Sequence, residues 1–140
     1  AMATVDRADV AILAALLAGE ARGEPVAGQL AVAHVVMNRA RLGGWWGDTI
    51  RGVALKRWQF STFNPPGDDK WDAVAVIADR LAVAGDDQWA VAEAALSGVT
   101  ADPTDGATHY YNPALADPSW AAQLAETVTI GAHRFMKAGT

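Results

Sequence analysis

An α+β fold, mostly α, is what this sequence predicts, and three observations predict it. Segments rich in Ala, Val and Leu with helical periodicity occupy the chain as far as Leu96. Gly, Pro and capping residues punctuate them at short intervals. Two pieces nearer the end, ATHYYNP and TVTIGAHRFM, are aromatic or β-branched instead.

Taken in order, Asp6 or Asp9 caps a first helix through AILAALLAG, which ends at Glu20 to Arg22 because Gly23 and Pro25 follow. A second helix runs from about Val26 to Leu42. Its sequence is apolar on nearly every face except at Gln29, His34, Asn38 and Arg39, the pattern of a buried central helix. GGWWGDT breaks the periodicity, Asp48 or Thr49 caps a short helix over TIRGVALKR, and WQFSTFNPPGDDK is irregular. Two more helices are predicted over Trp71–Ala84 and Asp87–Leu96, with Gly85 as the stop between them. After the turn signals of DPTDG, ATHYYNP and TVTIGAHRFM are expected to pair as a small antiparallel sheet, which would set His109 and His133 facing each other. No repeat, low-complexity tract or linker divides the chain, so residues 1–140 are expected to form a single domain.

Composition narrows the function classes. The 140 residues are 51% hydrophobic and 19% charged, which is enough apolar material for a proper core. A net charge of −5 with dispersed Lys and Arg argues against a phosphate-tracking surface, so nucleic acid is not an expected partner. No apolar run is long enough to cross a bilayer, and a membrane partner is not expected either. Cysteine is absent, which removes disulfides, thiol catalysis and Cys-based metal sites. No basic and apolar leader opens the chain. Ala1 and Met2 read as an addition ahead of the natural start, which leaves localisation open. Six Trp beside only two Tyr and three Phe suggest a surface that binds rings, because indoles stack on the apolar faces of sugars.

GEARGEP places Glu20 at the C-terminal end of a helix, beside a Gly-rich turn that a substrate can approach closely. The negative end of the helix dipole and apolar neighbours such as Leu16 and Leu17 both favour a protonated carboxyl. That is what a general acid for glycosidic cleavage needs, since the departing sugar oxygen must receive a proton. Position alone equally allows Glu20 to cap, to face solvent or to pair with Arg22.

GEARGEP, GQLAVAHVVMNR, QFS, ATHYYNP and IGAHRF follow one another in an order that resembles the SleB/CwlJ-like cell wall hydrolases, over about Leu13 to Met136. The resemblance implies a lysozyme-like fold, similar to lytic transglycosylases. It also implies cleavage of peptidoglycan glycan strands between N-acetylmuramic acid and N-acetylglucosamine, with a catalytic Glu closing the first helix. Glu20 is the matching residue. The segment is similar as well to the ES..NP pattern of soluble lytic transglycosylases, in which the Glu stands five residues before Pro, as Glu20 does before Pro25. By the same resemblance, Tyr110, Tyr111 and Asn112 belong to a Tyr-Asn element over the acid that binds the sugar, against the alternative of a packed strand end. Gln59, Phe60 and Ser61 match the QFS element and are expected to line the groove, with Phe60 as a core anchor otherwise.

Among Trp45, Trp46, Trp58, Trp71 and Trp120, one or two sugar platforms are expected, Trp58 first because it precedes QFS; Trp89 reads as helix packing. Glu24 is a candidate for substrate contact or for a second carboxylate, against a capping or solvent-facing role. Gln29 and Asn38 need hydrogen-bond partners on a buried helix and are expected to be scaffold.

With one acid fixed by the motifs, a transglycosylase is favoured over a muramidase that uses water, which normally needs two carboxylates. Asp48, Asp68, Asp69 and Asp105 lie in predicted turns, where ordinary turn chemistry explains them. Two rival classes are a zinc amidase built on His34, His109 and His133, which lack HExxH spacing, and a non-catalytic peptidoglycan-binding module. No cofactor is expected, and a monomer is the expected state. With no leader and no separate wall-binding domain, the chain differs from exported spore-type members. A phage or prophage lysin, a wall-penetrating part of a phage-like particle, or a trimmed bacterial protein would each fit.

Overall fold

A computed structural model describes residues 5–56 and 73–138, with the backbone alone over 73–77. Asp6 accepts from the Ala8 amide and caps α1, Arg7–Glu20. Eight residues of α1 are buried, among them the unbroken run Ile12–Ala18, so this helix is enclosed on all sides. α2, Val26–Leu42, follows Pro25 and stops at Gly43, whose φ of 68° suits glycine. Thr49 caps α3, Ile50–Leu55, by accepting from the Gly52 amide. α4 spans Ala73–Val83 and α5 spans Asp86–Leu96. α1 packs against α3, α4 and α5, and α2 against α3 and α5.

The core is made of small side chains. Ala14, Ala15, Ala31, Ala33, Ala92 and Ala95 are all 0% exposed, beside Leu13, Leu16, Leu17 and Val32. Each such alanine lets helix axes approach closely, and the Leu and Val side chains fill what remains. Gln29 and His34, buried polar residues of α2, have hydrogen-bond partners outside the helix. Gln29 donates to Glu24 O at 3.1 Å and accepts from Gln88 at 3.3 Å, while His34 bonds Thr100 Oγ1 at 3.2 Å.

The sheet differs from expectation. TVTIGAHRFM is not one strand but a hairpin, because Gly131 (φ 58°) turns the chain between β2, Leu124–Ile130, and β3, His133–Ala138. β1, His109–Tyr111, lies on the other side of β3, giving the antiparallel order β1-β3-β2. His109 pairs with Met136 and His133 with Ile130, so the two histidines do not face each other. A short 3-10 turn, Ser119–Gln123, carries Trp120 into the sheet region, and a second one, Gly44–Trp46, follows α2.

Candidate active site

Strand alternation divides the sheet into two faces. Tyr110 stands opposite Phe135, which is fully buried, and its ring lies 5.7 Å from the Phe135 ring and 5.0 Å from that of His133. This inner face meets the helices. There Tyr110 lies beside Glu20, the last residue of α1, close enough for hydroxyl and carboxyl to interact. Burial first, and then the Glu20 charge, hold the Tyr110 hydroxyl well above the usual tyrosine range, with Arg39 opposing. The phenol of Tyr110 therefore keeps its proton beside Glu20. Glu20 itself is half-buried at the start of the Gly-containing turn.

Tyr111 points the other way. Its hydroxyl accepts from Arg134 Nη1 at 2.9 Å, and its ring meets Trp120 edge-on at 5.6 Å. The row continues through His109, 5.0 Å from Trp120 and 5.9 Å from Trp46. Of the two expected tyrosines, the structure thus brings only Tyr110 to Glu20. Asn112 follows β1, but its side-chain oxygen accepts from the Ala114 amide at 2.9 Å and shapes the turn after the strand.

Glu24 neither caps α2 nor faces solvent. Its side chain is 12% exposed, and Oε1 accepts from the Ala132 amide at 2.9 Å and lies 3.0 Å from His133 Nδ1. A Cβ placed on Gly131 would come within 3.0 Å of Glu24 Oε2. The carboxylate therefore clasps the β2–β3 turn, and glycine at 131 is required both by its φ and by this approach.

Trp58, Gln59, Phe60 and Ser61, together with Trp71, Asp68 and Asp69, lie outside the described residues. Trp45 is 66% exposed, with Lys56 Nζ 4.4 Å from its ring centre. Trp89 packs on the core, and Asp48 and Asp105 are exposed. A hollow of about 320 Å³ lined by Val5, Asp6, Asp9, Met37, Ile50 and Leu96 lies at the opposite end of α1 from Glu20, roughly 20 Å away at the helical rise per residue. The chemistry indicated by Glu20 and Tyr110 is not there.

One buried charge beside the site was visible in the sequence only as a polar interruption of α2. Arg39 is 6% exposed. Its Nε donates to Thr108 O at 2.7 Å, and its guanidinium lies 5.5 Å from the Trp46 ring centre. Burial brings it down to about 10, which leaves it a cation at neutral pH, with the neighbouring Tyr110 acting in the other direction. Burial and then Arg39 also lower His109. Next to it, Asn38 donates to Ala107 O and to Asp102 Oδ2, both at 2.9 Å. Burial tends to raise Asp102, but bonds from the Thr104 hydroxyl, Asn38 and the Thr104 and Gly106 amides outweigh it and leave the carboxyl lowered.

Among the described residues, five α-helices around a small-residue core, closed on one side by a three-stranded antiparallel sheet that sets a tyrosine beside the last residue of the first helix, make a lysozyme-like domain. The chain belongs to the cell wall hydrolase family, whose model matches residues 23–136. Glu20 stands just ahead of the matched stretch. The chain is 32% identical to the spore cortex-lytic enzyme of Oceanobacillus iheyensis over 92% of its own length and 41% of that protein's. It is 33% identical to the corresponding enzyme of Halalkalibacterium halodurans, over 91% of this chain and 34% of that one. The chain thus spans about two-fifths or less of the relatives' lengths. Among solved structures it is similar to the catalytic domain of the germination-specific lytic transglycosylase SleB from Bacillus anthracis. The TM-score is 0.74 and the identity 28%, with 95% of this chain and 97% of that one covered. The crystal structure of the catalytic domain of the Bacillus cereus SleB protein gives the same TM-score at 29% identity, over 96% and 93%.

Proposed function

We propose that this chain cleaves peptidoglycan glycan strands between N-acetylmuramic acid and N-acetylglucosamine as a lytic transglycosylase, with Glu20 as acid and then base. The observation that carries this reading is the approach of Tyr110 to Glu20 at the end of α1, in a chain similar in fold to the catalytic domain of a germination-specific lytic transglycosylase. Glu20 first gives its proton to the glycosidic oxygen as the bond to the muramic C1 breaks. As a carboxylate it then takes the proton of the muramic C6 hydroxyl, whose oxygen closes on C1 to form a 1,6-anhydro sugar. One proton is lent and recovered, and no water is consumed.

Tyr110 holds the carboxylate and contributes to the sugar contact. Asn112 and the segment Trp58 to Ser61 are assigned to the same groove on the family resemblance. Glu24 supports the transglycosylase over a water-using muramidase, because its carboxylate is occupied at the β2–β3 turn. The relatives' names make bacterial spore cortex the first peptidoglycan to try.

The test is mass spectrometry of muropeptides released by wild type and by Glu20→Gln. Anhydro-muramic ends from the wild type, reduced at least about 1,000-fold in Glu20→Gln, are expected. Reducing muramic ends would replace this reading with hydrolysis, and free stem peptides would replace glycan cleavage altogether.

A further inference from the structure

Arg39 is a costly residue to bury. A guanidinium must give up water to enter a core, and Arg39 does so on a helix whose buried residues are mostly Ala and Val. What it touches explains its place. Its Nε bond goes to the carbonyl of Thr108, the residue directly before β1, and Asn38 beside it holds the carbonyl of Ala107. Two consecutive side chains of α2 thus grip two consecutive carbonyls at the entry to the strand, across 69 residues of sequence. Two residues beyond the grip is Tyr110, whose hydroxyl faces Glu20. Trp46 flanks the guanidinium, its ring centre 5.5 Å away.

We propose that Arg39 is the positioning residue of this site: it locks the entry of β1 and keeps a positive charge behind Tyr110, so that the Tyr110 hydroxyl stays on Glu20 through both proton transfers. The inference rests on the glycan-cleavage reading given above. Two contributions combine. The grip sets where the strand begins, and a shift of one residue would turn Tyr110 to the outer face and Tyr111 inward. The cation stands next to Tyr110 and orients the phenol that faces Glu20. Among the described residues, the other titratable groups around this pair are His109 on β1, and His133 on β3 with Glu24 bound to it.

The experiment compares wild type, Arg39→Gln and Arg39→Lys in two readouts. Kinetics on soluble glycan strands should give a kcat about 30-fold lower in Arg39→Gln with KM changed less than about threefold, and recovery to within about threefold of wild type in Arg39→Lys. The second readout is the Cζ resonance of labelled tyrosine, of which the chain has only two. In Arg39→Gln the Tyr110 signal should move toward its position in Glu20→Ala, while that of Tyr111 stays. A folded Arg39→Gln with wild-type kcat, or with the Tyr110 resonance unmoved, overturns the inference. Should Arg39→Gln not fold, Arg39→Lys decides: a folded Lys variant whose Tyr110 signal has left Glu20 and whose kcat falls as far as 30-fold overturns the role of the charge, and one close to wild type upholds it. An inactive wild type would count against the glycan reading, and the tyrosine resonances would still judge the grip.

Discussion

Tyr110 and Tyr111 are adjacent in sequence, equally half-buried, and chemically identical, yet the two faces of the sheet put them in different environments. On the inner face, Tyr110 has Phe135, His133 and the Glu20 carboxylate around it. On the outer face, Tyr111 has Trp120 and the guanidinium of Arg134, whose Nε is itself 3.3 Å from Glu126. One hydroxyl faces an acid and the other accepts from a base. Residue type says little about role where a strand alternates. What matters is which side of the backbone the register selects, and that choice is made at the strand entry by Asn38 and Arg39.

The comparison is broken most directly by removing each hydroxyl. Tyr110→Phe is expected to lower the rate of glycan cleavage about 10- to 100-fold, and Tyr111→Phe less than about threefold, both measured as initial rates of muropeptide release. Equal losses would mean that the outer face also holds the sugar.

A smaller effect should come from the edge shared by both faces. Asn38→Ala leaves the buried Ala107 carbonyl without its side-chain donor and takes one of the two donors from Asp102 Oδ2, which keeps the Gly106 amide, and should cost about 2 kcal/mol in denaturant unfolding. Loss of activity in excess of the folded fraction would show that the strand entry slips before the domain melts.

The smallest expected effects are electrostatic and fall in two pH windows. Burial lowers His34 and His109, with Asp102 opposing at His34 and Arg39 assisting at His109. The unfolded chain therefore binds protons at these sites first. Their contribution to stability is whole above the ordinary value of 6.5 and is lost as pH falls from there toward the folded values. Asp102, lowered by its hydrogen bonds, contributes above its ordinary value of 3.8 and loses that contribution only as pH falls through its lower folded value. Thermal unfolding followed from pH 7 downward should show a gentle decline below 6.5 and a second one below 3.8, the latter flattened in Asp102→Asn.

The helical half of this fold was open to reading because its signals are local. Asp6 and Thr49 cap, Gly43 and Gly85 stop, and the predicted bounds of α2, Val26 to Leu42, are those observed. The sheet was half open. ATHYYNP and TVTIGAHRFM were assigned to strands, but Gly131 within a β-branched run reads as an interruption until its positive φ shows it to be a turn. Arg39 and Glu24 were harder. Each announces a polar group that needs a partner, and neither announces that the partner lies at Thr108 or Ala132. The pairing of Glu20 with Tyr110 over Tyr111 depended on register, which no local pattern fixes. Trp58, Gln59, Phe60 and Ser61 stay as the resemblance assigns them.

The Glu24 clasp on the β2–β3 turn joins positions 108 residues apart. Closing so long a loop costs chain entropy that no neighbouring contact repays in advance, so this contact is expected among the last to form as the chain folds. During synthesis, α1 and its acid emerge before the turn that holds Glu24 and the strand that pairs with Tyr110. A nascent chain can therefore carry Glu20 without its tyrosine in place. On the glycan-cleavage reading proposed above, the site is complete only once β3 has docked, which ties competence to the pairing of distant parts of the fold.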